Sequence, residues 1–172
     1  MYKFPLIAAV GKRIKSPGSS FLGYYRGIRR QGARMDSFLG HPHVREFISL
    51  GLDVSDFAFI GSAPLFARGW IDSLGDIDVV ARASAWDAAL QLGAAHPVHD
   101  SRVRKVSLFD GKVEILNGWF PEHWTVDEMI DGADIIYGLR FASLDIIATA
   151  KRMLLRPKDI AHLRIIAEHT GK

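Results

Sequence analysis

A chain of 172 residues, 48% hydrophobic and 24% charged, has the size and balance of one folded domain with a short appendage, which excludes a two-domain enzyme and a fibrous or disordered polymer. It holds no cysteine, so disulfides, thiolate zinc sites, iron–sulfur clusters and a thiol nucleophile are excluded, and a cytoplasmic location is expected. The net charge of +3 conceals an asymmetry: the first 35 residues carry eight basic side chains and no acid, leaving 14 basic against 19 acidic in the remainder, a net of −5.

In chain order that basic arm comes first. From Lys3 to Arg34 its charges are spaced by glycine and serine without periodicity, so residues 1–35 are expected to form a loosely ordered extension and residues 36–172 the folded domain. Such an arm reads as an electrostatic contact for RNA or as a solvated extension. Met35 offers a second start for the folded part, and the composition also fits an organellar targeting peptide. The longest apolar stretch of the arm, Phe4 to Val10, falls far short of the roughly 18 residues a membrane span requires, so neither a membrane helix nor a secretory signal is expected.

His43 to Leu52 places Val44, Phe47, Ile48 and Leu52 at helical spacing, and Phe57 to Ile60 is a short buried strand. Gly61-Ser62 ends that strand, and the small residues beyond it start a helix through Arg68. Ile77 to Ala81 is a second strand, and Ser84 is the expected N-cap of a helix over Ala85 to Leu92. His96 to His99 reads as a loop. Val103 to Phe109 and Lys112 to Leu116 flank Asp110-Gly111, a dipeptide that favours a tight hairpin. Thr125 with Glu128 forms a capping box for a helix to about Ile130, and two further helices, Ser143 to Leu154 and Pro157 to His169, close the chain. The sum is a mixed α/β domain of the α+β kind: a small mixed sheet flanked by helices, with a helical C-terminal end.

Asp76 and Asp78 stand two residues apart on the second strand and therefore project from one face. Two such charges about 4 Å apart repel by about 4 kcal/mol at an effective dielectric near 20, a cost that a bound cation removes. With oxygen ligands alone and no His or Cys in the motif, Mg2+ or Mn2+ is the expected ion. Glu114 lies on the opposite side of its strand from Val113 and Ile115, so it can complete the set from a neighbouring strand. Gly61 lets the backbone turn and approach a ligand, and Ser62 at a helix start offers a hydroxyl and N–H groups to an anion, which reads as a phosphate cradle.

Taken together, an apolar strand, Gly61-Ser62, Ala67-Arg68-Gly69, then Asp76-Ile77-Asp78 followed by apolar residues resembles the DNA polymerase β-type nucleotidyltransferase superfamily. Downstream, Leu144 to Lys151 and Arg156 to Leu163 resemble the helical end of small bacterial members, including those of toxin–antitoxin and abortive-infection systems. The resemblance spans about Asp36 to His169. It implies that Gly61 and Ser62 hold the β- and γ-phosphates of an NTP and that Asp76 and Asp78 bind two metal ions. Glu114 would ligate the ion nearer the acceptor hydroxyl, and Lys151 would lie near the phosphates. The implied reaction moves a nucleoside monophosphate to the acceptor and releases pyrophosphate. Arg68 and Lys158 are further phosphate candidates, although Arg68 can equally pair with Asp72. Glu114 stands where the family more often has aspartate, and Gly75 where it often has serine. A second reading is therefore a weakly active or inactive member serving as an interaction module, antitoxin-like or RNA-binding, with a protein partner. The two readings separate on whether Asp76, Asp78 and Glu114 meet around one point beside a ligand-sized cleft.

Other residues carry blander expectations. No histidines form a helix-spaced metal pair, and His162 and His169 are expected at the surface. The tryptophans are expected to pack a core or its rim, with Trp70, beside the glycine–serine loop, the one candidate for a base contact. The acceptor stays open among a small molecule, a protein side chain and an RNA end.

Overall fold

Phe57–Phe59 (β1) alternates its side chains between two apolar layers, and this alternation organises the rest of the fold. The computed structural model describes residues 37–98 and 102–171; the basic arm, Asp36 and His99 lie outside them. β1 pairs antiparallel with Ile77–Ala81 (β2), Phe57 opposite Ala81 and Phe59 opposite Val79. Ile60 continues the ladder by donating its N–H to the Asp78 carbonyl at 2.9 Å.

On one side β2 runs parallel to Val113–Leu116 (β5), which pairs antiparallel with Arg104–Leu108 (β4), and β4 in turn with Ala95–Pro97 (β3). On the other side β1 runs parallel to Leu139–Phe141 (β7), which forms a hairpin with Asp134–Ile136 (β6). The result is a seven-stranded mixed sheet in the order β3-β4-β5-β2-β1-β7-β6.

One layer of the core contains Phe57, Phe59, Ile77, Val79 and Ile115 under helices Pro42–Ser49 (α1) and Ala83–Leu92 (α3), with Phe38 from helical residues 37–40. Its aromatic rings interlock: Phe38 meets Phe141 edge-on at 5.3 Å and Phe59 stacks on Phe141 at 5.0 Å. Each such pair adds about 0.5–1.5 kcal/mol beyond the burial of its area. The other layer packs Ala58, Ile60, Val80 and Leu116 against Val126–Asp131 (α4), Leu144–Leu154 (α5) and Pro157–Thr170 (α6). A five-residue helix, Ala63–Ala67 (α2), leads away from β1 and is buried along its whole length.

Several elements differ from the expectation. The helix expected over His43 to Leu52 spans Pro42–Ser49, because proline suits its opening turn and Gly51, at φ +66°, carries the chain away after the C-cap Leu50. Ser84 is not the N-cap of α3. Its N–H and hydroxyl both donate to Oδ2 of Asp56, at 3.2 and 2.7 Å, so a carboxylate from a different loop serves that helix end. His96 and Pro97, expected in a loop, belong to edge strand β3, where Pro97 is tolerated because an edge leaves ladder positions unused. The β6–β7 hairpin was not expected, and it turns through Tyr137 and Gly138, both at positive φ, as primed turns require. Asp110 and Gly111 take the same positive-φ geometry in the expected β4–β5 hairpin, closed by a bond from the Lys112 N–H to the Phe109 carbonyl at 3.0 Å. The capping box of Thr125 and Glu128 is present as expected.

Among the described residues no helix is long and apolar enough to cross a membrane.

Candidate functional site

Period-two alternation sets which strand residues share a face. Ile77 and Val79 point into the first core layer, so Asp78 points with Val80 to the opposite face, and Asp76, just before the strand, shares that parity. The parallel pairing places Glu114 directly beside Asp78, as Val80 stands beside Leu116. Across the next pairing Ser107 faces Glu114 and Lys105 faces Leu116, so Lys105 belongs to the same face. Two carboxylates from β2 and β5, a third from the residue just before β2, and one ammonium from β4 thus occupy the polar end of the surface whose other part packs under α4 and α5.

Asp78 feels its neighbours most. Burial, then the charges of Asp76 and Glu114, push its carboxyl up to about 6, against a partial opposing pull from Lys158 and Arg156. Gly61, at φ +65°, lies against this carboxylate, and a Cβ there would sit 2.5 Å from Asp78 Oδ2. Glycine is required at that corner by both conformation and space. Ser62 follows in right-handed helical geometry with no side-chain capping bond, while its carbonyl accepts from the N–H groups of Leu65 and Phe66.

Glu114 has a partner of its own. Lys105 Nζ donates to Glu114 Oε1 at 2.5 Å, with the two side chains 31% and 26% exposed. Among the described residues no three His, Asp or Glu side chains stand close enough together to hold a metal ion. The sheet therefore brings Asp76, Asp78 and Glu114 to one face and one electrostatic neighbourhood, but Glu114 is turned to an ammonium. Asp76 and Asp78 offer oxygen donors only, the donor chemistry of Mg2+ or Mn2+, beside the Gly61 corner.

The helical end supplies cations. α5 closes at Leu155 in left-handed geometry, Arg156 makes the link, and Pro157 opens α6. Lys151 is 2% exposed and donates to Asp159 Oδ1 at 3.2 Å, while Arg156 Nε donates to Asp159 Oδ2 at 2.6 Å. Burial works against the Asp159 charge, yet Arg156 and Lys151 hold its carboxyl below the usual range; burial lowers the Lys151 ammonium. Arg156 is raised, first by its bond to Asp159 and further by the charges of Asp78 and Asp76. So Lys151, expected at the phosphates, is buried and paired, and the cations that sense the aspartates are Arg156 and Lys158.

Arg68 is directed elsewhere. Its guanidinium pairs with Asp134, not Asp72, donates to the Pro64 carbonyl at 2.8 Å, and lies 5.7 Å over the Trp70 ring. Trp70 stacks on His169 at 4.4 Å, which gives that ring a protein partner in place of a base. His169 is exposed as expected, whereas the half-buried His162 has an Nδ1 without a hydrogen-bond partner and is lowered first by burial. A cavity of about 260 Å³ opens between α5 and α6, lined by Leu144, Ala148, Arg152 and Leu163 among others; none of the three carboxylates lines it.

Two residues of this neighbourhood, Lys105 and Arg156, were not expected from the sequence. The parity of Lys105 against Val106 is visible in the chain, but its register beside Glu114 is not. Comparison with protein-family models, curated proteins and solved structures returned no match.

Proposed function

We propose that this chain is a metal-dependent nucleotidyltransferase of the DNA polymerase β type, which moves a nucleoside monophosphate from an NTP to an acceptor hydroxyl and releases pyrophosphate. The supporting observation is the register of β2 against β5, which sets Glu114 beside Asp78 with Asp76 on the same face and Gly61 packed against the Asp78 carboxylate. Asp76 and Asp78 would hold Mg2+ or Mn2+, whose chemistry is to neutralise the triphosphate and stabilise the departing pyrophosphate. Gly61 and Ser62 border the phosphate position, and Lys158 and Arg156 supply the facing positive charge. Lys151 acts through Asp159, which fixes Arg156 in place. Arg68 is engaged by Asp134 and the Pro64 carbonyl and is given no phosphate role. The location is taken as cytoplasmic, with RNA the acceptor favoured by the basic arm.

The test is incubation of the full chain with each labelled NTP, Mg2+ or Mn2+ and candidate acceptors including tRNA, with Asp76→Ala plus Asp78→Ala as control. Label transfer that the double variant abolishes is expected, and transfer that survives it rejects the assignment. A second reading, an inactive interaction module with a protein or RNA partner, is favoured by the Lys105–Glu114 ion pair and by a cavity that lies away from the carboxylates. It predicts no transfer with any NTP while partner binding persists.

A further inference from the structure

We propose that Lys105 is a built-in counter-cation of Glu114, so that the site takes one divalent cation, on Asp76 and Asp78, where a two-ion arrangement would need Glu114 as a ligand. The inference rests on the reading of those aspartates as a metal pair and concerns how many ions that site accepts.

Glu114 and Lys105 come from adjacent antiparallel strands and lie on one face, offset diagonally by the register Ser107 opposite Glu114 and Lys105 opposite Leu116. That diagonal is within reach of a lysine side chain, and the ammonium makes a charge-assisted contact with Glu114 Oε1 at 2.5 Å. Both strands are held in this register by Val106 and Ile115, each fully buried in the first core layer, which keeps Lys105 on the face that carries Glu114. A divalent cation approaching Glu114 would have to displace the ammonium from Oε1.

Mn2+ binding to the full chain, counted by titration calorimetry and by loss of the free-ion paramagnetic resonance signal, tests the proposal without any turnover. Lys105→Met is expected to bind one more Mn2+ than the wild type, Lys105→Arg the same number as the wild type, and Lys105→Met with Glu114→Gln to lose the added ion. Lys105→Gln serves as a second neutral variant should the methionine variant fold poorly. Equal stoichiometry in the wild type and both neutral variants overturns the proposal, as does an added ion that survives Glu114→Gln. Failure of the underlying reading has a separate signature: Asp76→Asn with Asp78→Asn would then leave wild-type Mn2+ binding unchanged.

Discussion

Asp78 is the residue at which stability and the proposed chemistry oppose each other. Its folded carboxyl titrates at about 6, raised by burial and by Asp76 and Glu114, against an ordinary value of 3.8 in the unfolded chain. The folded state therefore binds the proton more tightly. The associated stability is full below about pH 4 and is lost as pH rises through about 6, amounting to about 3 kcal/mol. With divalent cations chelated, Asp78→Asn should raise unfolding free energy at pH 8 by that order and leave it nearly unchanged at pH 4, as read from urea denaturation at the two pH values. Gly61 is the companion case. A methyl group there meets Asp78 Oδ2 at 2.5 Å and must also adopt φ +65°, so Gly61→Ala should cost about 1–2 kcal/mol and weaken Mn2+ binding, both measurable on the purified variant.

At the scale of elements, the α5–α6 corner is organised around one buried anion. Asp159 is fully buried and is held by Lys151 and Arg156, so Asp159→Asn leaves a lysine buried without its counter-charge. The expected loss is about 3–5 kcal/mol in chemical denaturation, largely recovered by pairing Lys151→Met with Asp159→Leu, because a buried ion pair replaced as a unit by apolar groups is close to neutral. Helix α4 depends on a smaller device. Thr125 accepts from the Glu128 N–H at 3.2 Å, and the Glu128 carboxylate accepts from the Thr125 N–H at 2.8 Å. Thr125→Ala should cost about 1 kcal/mol, read as a shift in the denaturation midpoint. The capping box was legible in the chain because it is local, four residues that satisfy each other. The cap of α3 was not, because Asp56 reaches Ser84 from the loop before β1.

For the molecule as a whole, the sheet is the frame on which the site depends. Phe59 sits at its centre, fully buried, opposite Val79 on β2, beside Phe141 on β7, and in ring contact with Phe38, Phe47 and Phe57. Phe59→Ala should cost about 3–5 kcal/mol and lower thermal stability accordingly, since it leaves a cavity among the rings of Phe38, Phe47, Phe57 and Phe141. The proposed cation site depends on the same frame from the other side. At a hundredfold excess over its dissociation constant, Mn2+ should add about 2.7 kcal/mol to unfolding, and Asp76→Asn should remove that gain.

What the sequence determined by itself was local: helix and strand periodicity, the capping box, the Asp110-Gly111 turn, the parity that puts Asp76 with Asp78, and the glycine–serine corner before them. Each depends on residues within a few positions of one another. Tertiary structure alone decided the parallel pairing that sets Glu114 beside Asp78, the hairpin at Tyr137 and Gly138 that extends the sheet, and the assignment of the cations. Lysines and arginines have long, flexible side chains, so their partners are chosen by which strands and helices become neighbours. Lys105 went to Glu114, Lys151 to Asp159 and Arg68 to Asp134, none of which spacing along the chain could specify.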